Sequence, residues 1–312
     1  MKFFNKVYKF DFMRYRRFWL IFSAVTSLLA IAAISALVLT GRFPFGIDFT
    51  KGTLIELGYG QAVETEAVRG ALDKAGFNRA IVQHFGTSKD VLIRFPEELG
   101  SDTSNKVVEA LQAAGHRVEL RRVEFVGPQV GKELAEYGVL AFIGALIGIL
   151  VYVMLRFEPK LALAAVIATL HDTLLTAGFF LLTRWDFDLT VLAALLTVIG
   201  YSINDTIVVF DRVRENFRKM RTASALQVVN TSINETLSRT LMTGTNTAMV
   251  LIALWVFGGE LNRPFAVTVL IGLLIGTYSS IYIASPVAVA LGVDRKALMP
   301  VQKEGLGADG RP

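Results

Sequence analysis

Cysteine is absent from the chain. That excludes a disulfide framework, a Cys-ligated metal, an iron–sulfur cluster and a thiol nucleophile. Histidine is scarce, three in 312 residues. His84 and His116 stand apart with no second ligand at metal spacing, so they read as surface or packing residues and no metal site is expected. No glycine-rich phosphate loop, Ser-His-Asp arrangement or catalytic frame of paired carboxylates is present, so neither an enzyme nor a bound cofactor is expected. Charge is sparse too: 19% of residues, against about 25% in an average soluble protein. What is there instead is apolar, with 53% hydrophobic residues and a mean hydropathy of +0.50. Length alone would suggest two soluble domains, at roughly 150 residues each; that apolar excess excludes them.

The apolar residues fall in six blocks, at about 18–39, 134–155, 161–183, 189–210, 237–257 and 265–291. Each is long enough to cross a hydrocarbon core of about 30 Å as a helix. The first is too long for a signal-peptide core and lacks a small-residue cleavage site. The expected fold class is therefore an α-helical polytopic membrane protein. Its divisions are a tail at 1–17, a first span at 18–40, a soluble stretch at 41–133, a five-helix bundle at 134–292 and a tail at 293–312. An amphipathic surface segment is expected at 211–231, over the charge run DRVRENFRKMR.

Counting Lys and Arg gives the orientation. With the N-terminus inside, 17 fall on the inner side and two, Arg184 and Arg263, in the short outer loops. This is a positive-inside signal, expected to place both termini in the cytoplasm and 41–133 outside. Trp19, Trp185 and Trp255 fall near span ends, as interfacial aromatics should. The external stretch from Arg42 to Glu133 has 12 basic and 13 acidic residues, net −1. The overall +5 thus reflects topology and surrounding membrane lipid rather than a nucleic-acid partner.

Within 41–133 the pattern alternates strand and helix: strand 53–58, helix 63–75, strands 80–84 and 91–95 around a turn at 86–90, helix 103–114 and strand 118–126. This β-α-β-β-α-β order predicts a ferredoxin-like domain.

Polar residues inside spans are costly, about 2.5–3.5 kcal/mol for a charge at mid-helix, and so point to function. His171 and Asp172 lie mid-way along the third block. Ser202, Asn204 and Asp205 lie in the fourth, where Gly200 and Ser202 suggest close helix approach or unwinding. Ser232, Thr236, Arg239, Thr243, Asn246 and Thr247 form one polar stripe on the fifth, expected to line a wet or hydrogen-bonded interior. Asp205 is the first candidate for a proton site, with Arg239 as its partner. His171 and Asp172 are weaker candidates, because capping or packing explains them equally well.

These motifs carry a resemblance. The segments 45–57, VGPQVGKEL (126–134), His171-Asp172-Thr173, GYSINDTIVVFDRVREN (200–216) and SINETLSRTLMTGTNT (232–247) resemble the SecF family, the smaller membrane subunits of bacterial SecD–SecF protein-export complexes, within the resistance–nodulation–division superfamily. The resemblance implies six spans in the bacterial cytoplasmic (inner) membrane, an external ferredoxin-like domain and use of the proton-motive force, with protons as the coupling ion. It implies a SecD-like partner, the SecYEG channel with an associated insertase, and unfolded preprotein as cargo. It places the family's proton path on Asp205 and Arg239. The family usually has two glycines where this chain has Lys51-Gly52. Two other readings compete: a passive scaffold subunit of a translocon or insertase, and half of a proton-driven small-molecule exporter.

Overall fold

The computed structural model describes residues 9–50, 52–96, 101–183, 185–259 and 262–294. Most of both tails, Lys51 and Arg184 lie outside the described residues. A 3₁₀ turn at Phe12–Tyr15, whose first amide cluster is capped by Asp11, leads into α1 (Arg16–Leu39). The other long helices are α5 (Pro128–Arg156), α6 (Pro159–Thr183), α7 (Leu189–Lys219), α8 (Ala225–Phe257) and α9 (Arg263–Ser279). After α9, a single π turn at Ser280–Ala284 leads into the short α10 (Ser285–Ala290). Among the described residues, six helical stretches are long and apolar enough to cross a membrane.

Between α1 and α5 stands a small domain: α2 (Ile47–Thr50), β1 (Gly52–Tyr59), α3 (Thr65–Lys74), β2 (Ile81–Phe85), β3 (Thr87–Phe95), α4 (Ser101–Ala113) and β4 (Val118–Val126). Its sheet has the order β2-β3-β1-β4, with every neighbouring pair antiparallel. This is the expected ferredoxin-like βαββαβ arrangement. Period-two alternation sends Ile55, Leu57, Val91 and Ile93 to one sheet face, where Val68 and Leu72 of α3 and Val107 and Leu111 of α4 cover them. The expected turn over 86–90 is shorter: only Gly86, at φ +76°, turns the chain, and β3 starts at Thr87. At the start of β1, Gly52 has φ +131° and a Cβ there would overlap the Phe95 carbonyl. The backbone thus requires glycine at position 52.

In the bundle, α7 is the central helix. It buries a face from Val191 to Phe217, packed by α6, α8 and α9. Small residues set the spacing. Ala162, Ala164, Ala165 and Ala168 of α6 are buried, and Gly272 of α9 fits directly against the Val198 side chain. A Cβ on Gly276 would lie 3.3 Å from Ser202 Cα. This small-xxx-small pair brings the two backbones together. Gly200, expected to allow close approach, instead faces open space, and α7 is continuously helical through it. The π turn precedes Pro286, which has no amide to give to residue 282; Ser285 Oγ bonds back to Ser280 O at 2.8 Å. The extra residue in the turn accommodates the proline without breaking the span.

The stretch 211–231 is not a separate surface element. Residues up to Lys219 continue α7 and those from Ala225 begin α8, whose N-terminus is closed by a Ser224–Gln227 capping box. The charged run is held by pairing rather than only solvated. Arg212 Nε reaches Glu235 Oε2 at 2.6 Å, and Asn216 donates to Glu235 at 2.6 Å and to Ser232 at 3.0 Å. At this end Asn230 and Asn234 also hold the entering chain, accepting from Met13 N at 3.2 Å and Phe10 N at 2.9 Å. Lys160 reaches Gly292 O at 2.5 Å. The start and finish of the described chain thus share one end of the bundle, and the ferredoxin-like domain stands at the other.

Candidate intramembrane polar site

Among the described residues, two aspartates are buried in the bundle, and their surroundings differ. Asp172 of α6 is wholly buried. Its Oδ2 accepts from Ser202 of α7 and, at 2.5 Å, from Ser279 of α9; its Oδ1 lies 2.8 Å from His171 Nδ1. Side chains from three helices therefore converge on one carboxylate. The helices can come this close because Gly276 lies beside Ser202. His171 Nε2 is buried without a partner among the described residues, and its ring lies 6.3 Å from that of Tyr278. The Tyr278 hydroxyl is in turn 2.7 Å from Ser23 Oγ of α1. Polar contacts thus extend from α1 through α9 to α6 and α7.

Asp205, on the turn of α7 after Ser202, is 7% exposed. Among the described residues its carboxylate has no hydrogen bond and no cation within 4.0 Å. Arg239 of α8 acts on it through space. The expected Asp205–Arg239 pairing is therefore electrostatic proximity rather than contact. Thr206, next to Asp205, also buries a hydroxyl with no partner among the described residues.

The polar stripe on α8 is divided. Ser232 and Thr236 are buried, but Arg239, Thr243 and Asn246 lie on the exposed surface of this chain, beside Tyr201 and Asn204 of α7. Thr247 donates to the Tyr201 hydroxyl at 3.2 Å, linking the two exposed faces. Thr243 satisfies its hydroxyl on its own helix, at the carbonyls of Arg239 (3.1 Å) and Thr240 (3.0 Å). The interior that the stripe was expected to line is not enclosed by the described residues, because no other helix among them covers that side of α7 and α8.

The structure thus joins His171, Asp172 and Ser202 in one network. It sets Asp205 near Arg239 and leaves Asn204 and Thr243 on an open face. Sequence reasoning missed Ser279, Tyr278 and Ser23. A signal existed, GTYSS inside the last apolar block, but hydroxyls bonded to their own helix look the same in sequence. Among the described residues, no group of three or more His, Asp or Glu side chains could hold a metal ion.

Residues 106–294 match the family described as protein export membrane protein SecD/SecF, C-terminal. The protein translocase subunit SecF of Vibrio alginolyticus is 47% identical over 302 residues, covering 96% of this chain and 95% of that relative. That of Escherichia coli O157:H7 is 44% identical over 310 residues, covering 98% and 94%. Among solved structures, SecDF from Thermus thermophilus, a translocon-associated membrane protein, superposes with a TM-score of 0.81 at 38% identity over 91% of this chain. This chain spans 38% of that longer one.

Proposed function

The chain belongs to the SecF family of protein translocase subunits, and from that premise we propose that it converts the proton-motive force into late-stage export of unfolded polypeptide, together with a SecD-like subunit. The observation that carries this reading is Asp205: a carboxyl group buried in a spanning helix, without a donor, within electrostatic reach of Arg239. Burial disfavours an ionised carboxylate and a nearby guanidinium favours it. A helix movement that changes their separation therefore changes whether Asp205 holds a proton. One charge crossing the field is worth about 2.3 kcal/mol per 100 mV, enough to bias a two-state element.

The exposed seam of Tyr201, Asn204, Arg239, Thr243 and Asn246 supports a partner at this face, since a polar stripe on spanning helices cannot rest against lipid. The SecD-like subunit is the occupant this reading assigns; SecYEG, an associated insertase and the emerging preprotein complete the assembly. No cofactor takes part, protons being the coupling ion. In this reading the protein lies in the bacterial inner membrane with both termini cytoplasmic and residues 41–133 outside, the arrangement in which the basic residues stay inside.

A scaffold role is favoured by one observation, the Asp172 carboxylate, bonded on both oxygens, which joins α6, α7 and α9. We assign Asp172, Ser202 and His171 to that work alongside the proton path. Proton uptake by vesicles holding this chain with its SecD-like partner tests the main reading. Asp205→Asn should abolish uptake while leaving insertion intact, and unchanged uptake would leave only the scaffold.

A further inference from the structure

The external domain meets the bundle where α2 packs on α5 and where the segment before α2 reaches the start of α7. The chain leaving α1 pairs with the α6–α7 loop: Gly46 N donates to Phe187 O at 2.8 Å and Phe187 N to Pro44 O at 2.7 Å. The Phe45 and Phe49 rings lie 6.4 and 5.9 Å from that of Phe187. Asp48 of α2 accepts from Leu189 N, the first amide of α7, at 3.0 Å, while Asp188 accepts from Val191 N at 2.8 Å. The first turn of α7 is therefore capped partly by the segment that leads into the sheet.

Arg94 closes this junction. It projects from β3 with one nitrogen paired to Asp186 of the α6–α7 loop and another donating to Phe45 O at 2.8 Å. Gln83 of β2 donates to the same Asp186 at 3.2 Å. The Arg94 and Asp186 side chains are 14% and 16% exposed, so the pair is shielded from solvent. One guanidinium thus joins the sheet, the α1 exit and the loop that starts α7. From Leu189, α7 runs unbroken to Asp205, 16 residues on, or about 24 Å at 1.5 Å per residue.

We infer that Arg94 is a positioning residue that makes the external domain move with α7, through its shared grip on Asp186 and the Phe45 carbonyl. The inference rests on the proton-driven reading above. A helix is stiff along its axis, so displacement of α7 near Asp205 reaches its capped N-terminus. A buried ion pair with a second carbonyl contact resists separation better than an exposed one. Breaking it should disconnect the moving helix from the domain without touching the intramembrane residues.

The test uses full-length protein with its SecD-like partner in vesicles that also hold the SecYEG channel, reading proton uptake and gradient-dependent completion of export separately. Arg94→Gln leaves Asp186 uncompensated, so the double variant R94Q/D186N, which strands no charge, is measured beside it. Both are expected to keep proton uptake within about twofold and to lose about tenfold in export, within the range over which single residues alter coupling. The chain has no cysteine, so Gln83→Cys with Asp186→Cys allows a reducible cross-linker to refasten the junction in the R94Q background. Cross-linking should restore export and reduction should abolish it again. Normal export in both unfastened variants overturns the inference, as does joint loss of uptake and export, which would make Arg94 a general support. A wild-type protein that takes up no protons overturns the proton-driven reading instead.

Discussion

Ser279 of the last span donates to Asp172 of α6 across 2.5 Å, 107 residues apart in the chain, onto the carboxylate oxygen that Ser202 also reaches. This makes Asp172 a saturated carboxylate, whereas Asp205 on the neighbouring helix has no donor among the described residues. Two buried acids of the same type are thereby suited to different work. The first holds helices in register, and the second is available to a proton.

That difference predicts opposite stability effects. Ser279→Ala should cost about 1–2 kcal/mol by removing one donor, and Asp172→Ala about 3 kcal/mol or more by leaving two hydroxyls and His171 without their acceptor. Asp205→Asn should be neutral or mildly stabilising. Thermal unfolding in detergent, followed by loss of helical signal, measures all three; equal destabilisation by the two aspartate variants would refute the division of labour.

Arg239 should act through its charge more than its shape. Arg239→Lys should retain part of the gradient-driven proton uptake and Arg239→Gln almost none, because the link to Asp205 is electrostatic rather than a fixed bidentate pair. Stopped-flow acidification of vesicles separates the two variants.

The junction at the start of α7 should carry a pH signature. Burial, with the neighbouring carboxylates of Asp48 and Asp186, pushes Asp188 from 3.8 up to about 6, against the opposing effect of its bond from Val191 N. His84 of β2, and Arg122 and Glu124 of β4, also line this cleft, and Arg94 is paired to Asp186 beside it. A raised carboxyl value means that the folded protein holds a proton the unfolded chain has released. Stability contributed at Asp188 is thus present below about pH 4 and is lost as pH rises to about 6, staying lost above. Asp188→Asn keeps the N-cap and removes the charge, so its melting temperature should lack that decline. An unchanged pH profile in the variant would contradict the assignment.

Gly52→Ala should unfold or loosen the external domain while sparing the spans. The variant would need φ +131° from a residue with a Cβ, aimed into the Phe95 carbonyl, a strain of about 1–3 kcal/mol before any clash. Limited proteolysis should cut within 52–126 faster than in the parent, with the helical bundle still protected.

Hydropathy and period-two alternation disclosed the six spans and the strand order of the external domain, because both signals are local and add up along the chain. The same locality made Asp205 and Arg239 conspicuous: a charge in an apolar block is visible whatever it touches. It could not show that α7 outlasts its apolar part to Lys219. There Asn216 and Arg212 are retained by Ser232 and Glu235 of another helix, and the charged run alone resembles a solvated face.

By itself, then, the sequence determined how many helices cross, which side its basic residues favour and which charges are misplaced. Only the tertiary structure decided that Asp172 is saturated, that Arg239, Thr243 and Asn204 lie on an open face, and that Arg94 holds the α6–α7 loop. The reason is physical. Burial propensity belongs to a residue and its near neighbours, whereas satisfaction of a polar group depends on which helix faces meet, and here that is set by small residues such as Gly272 and Gly276 far along the chain.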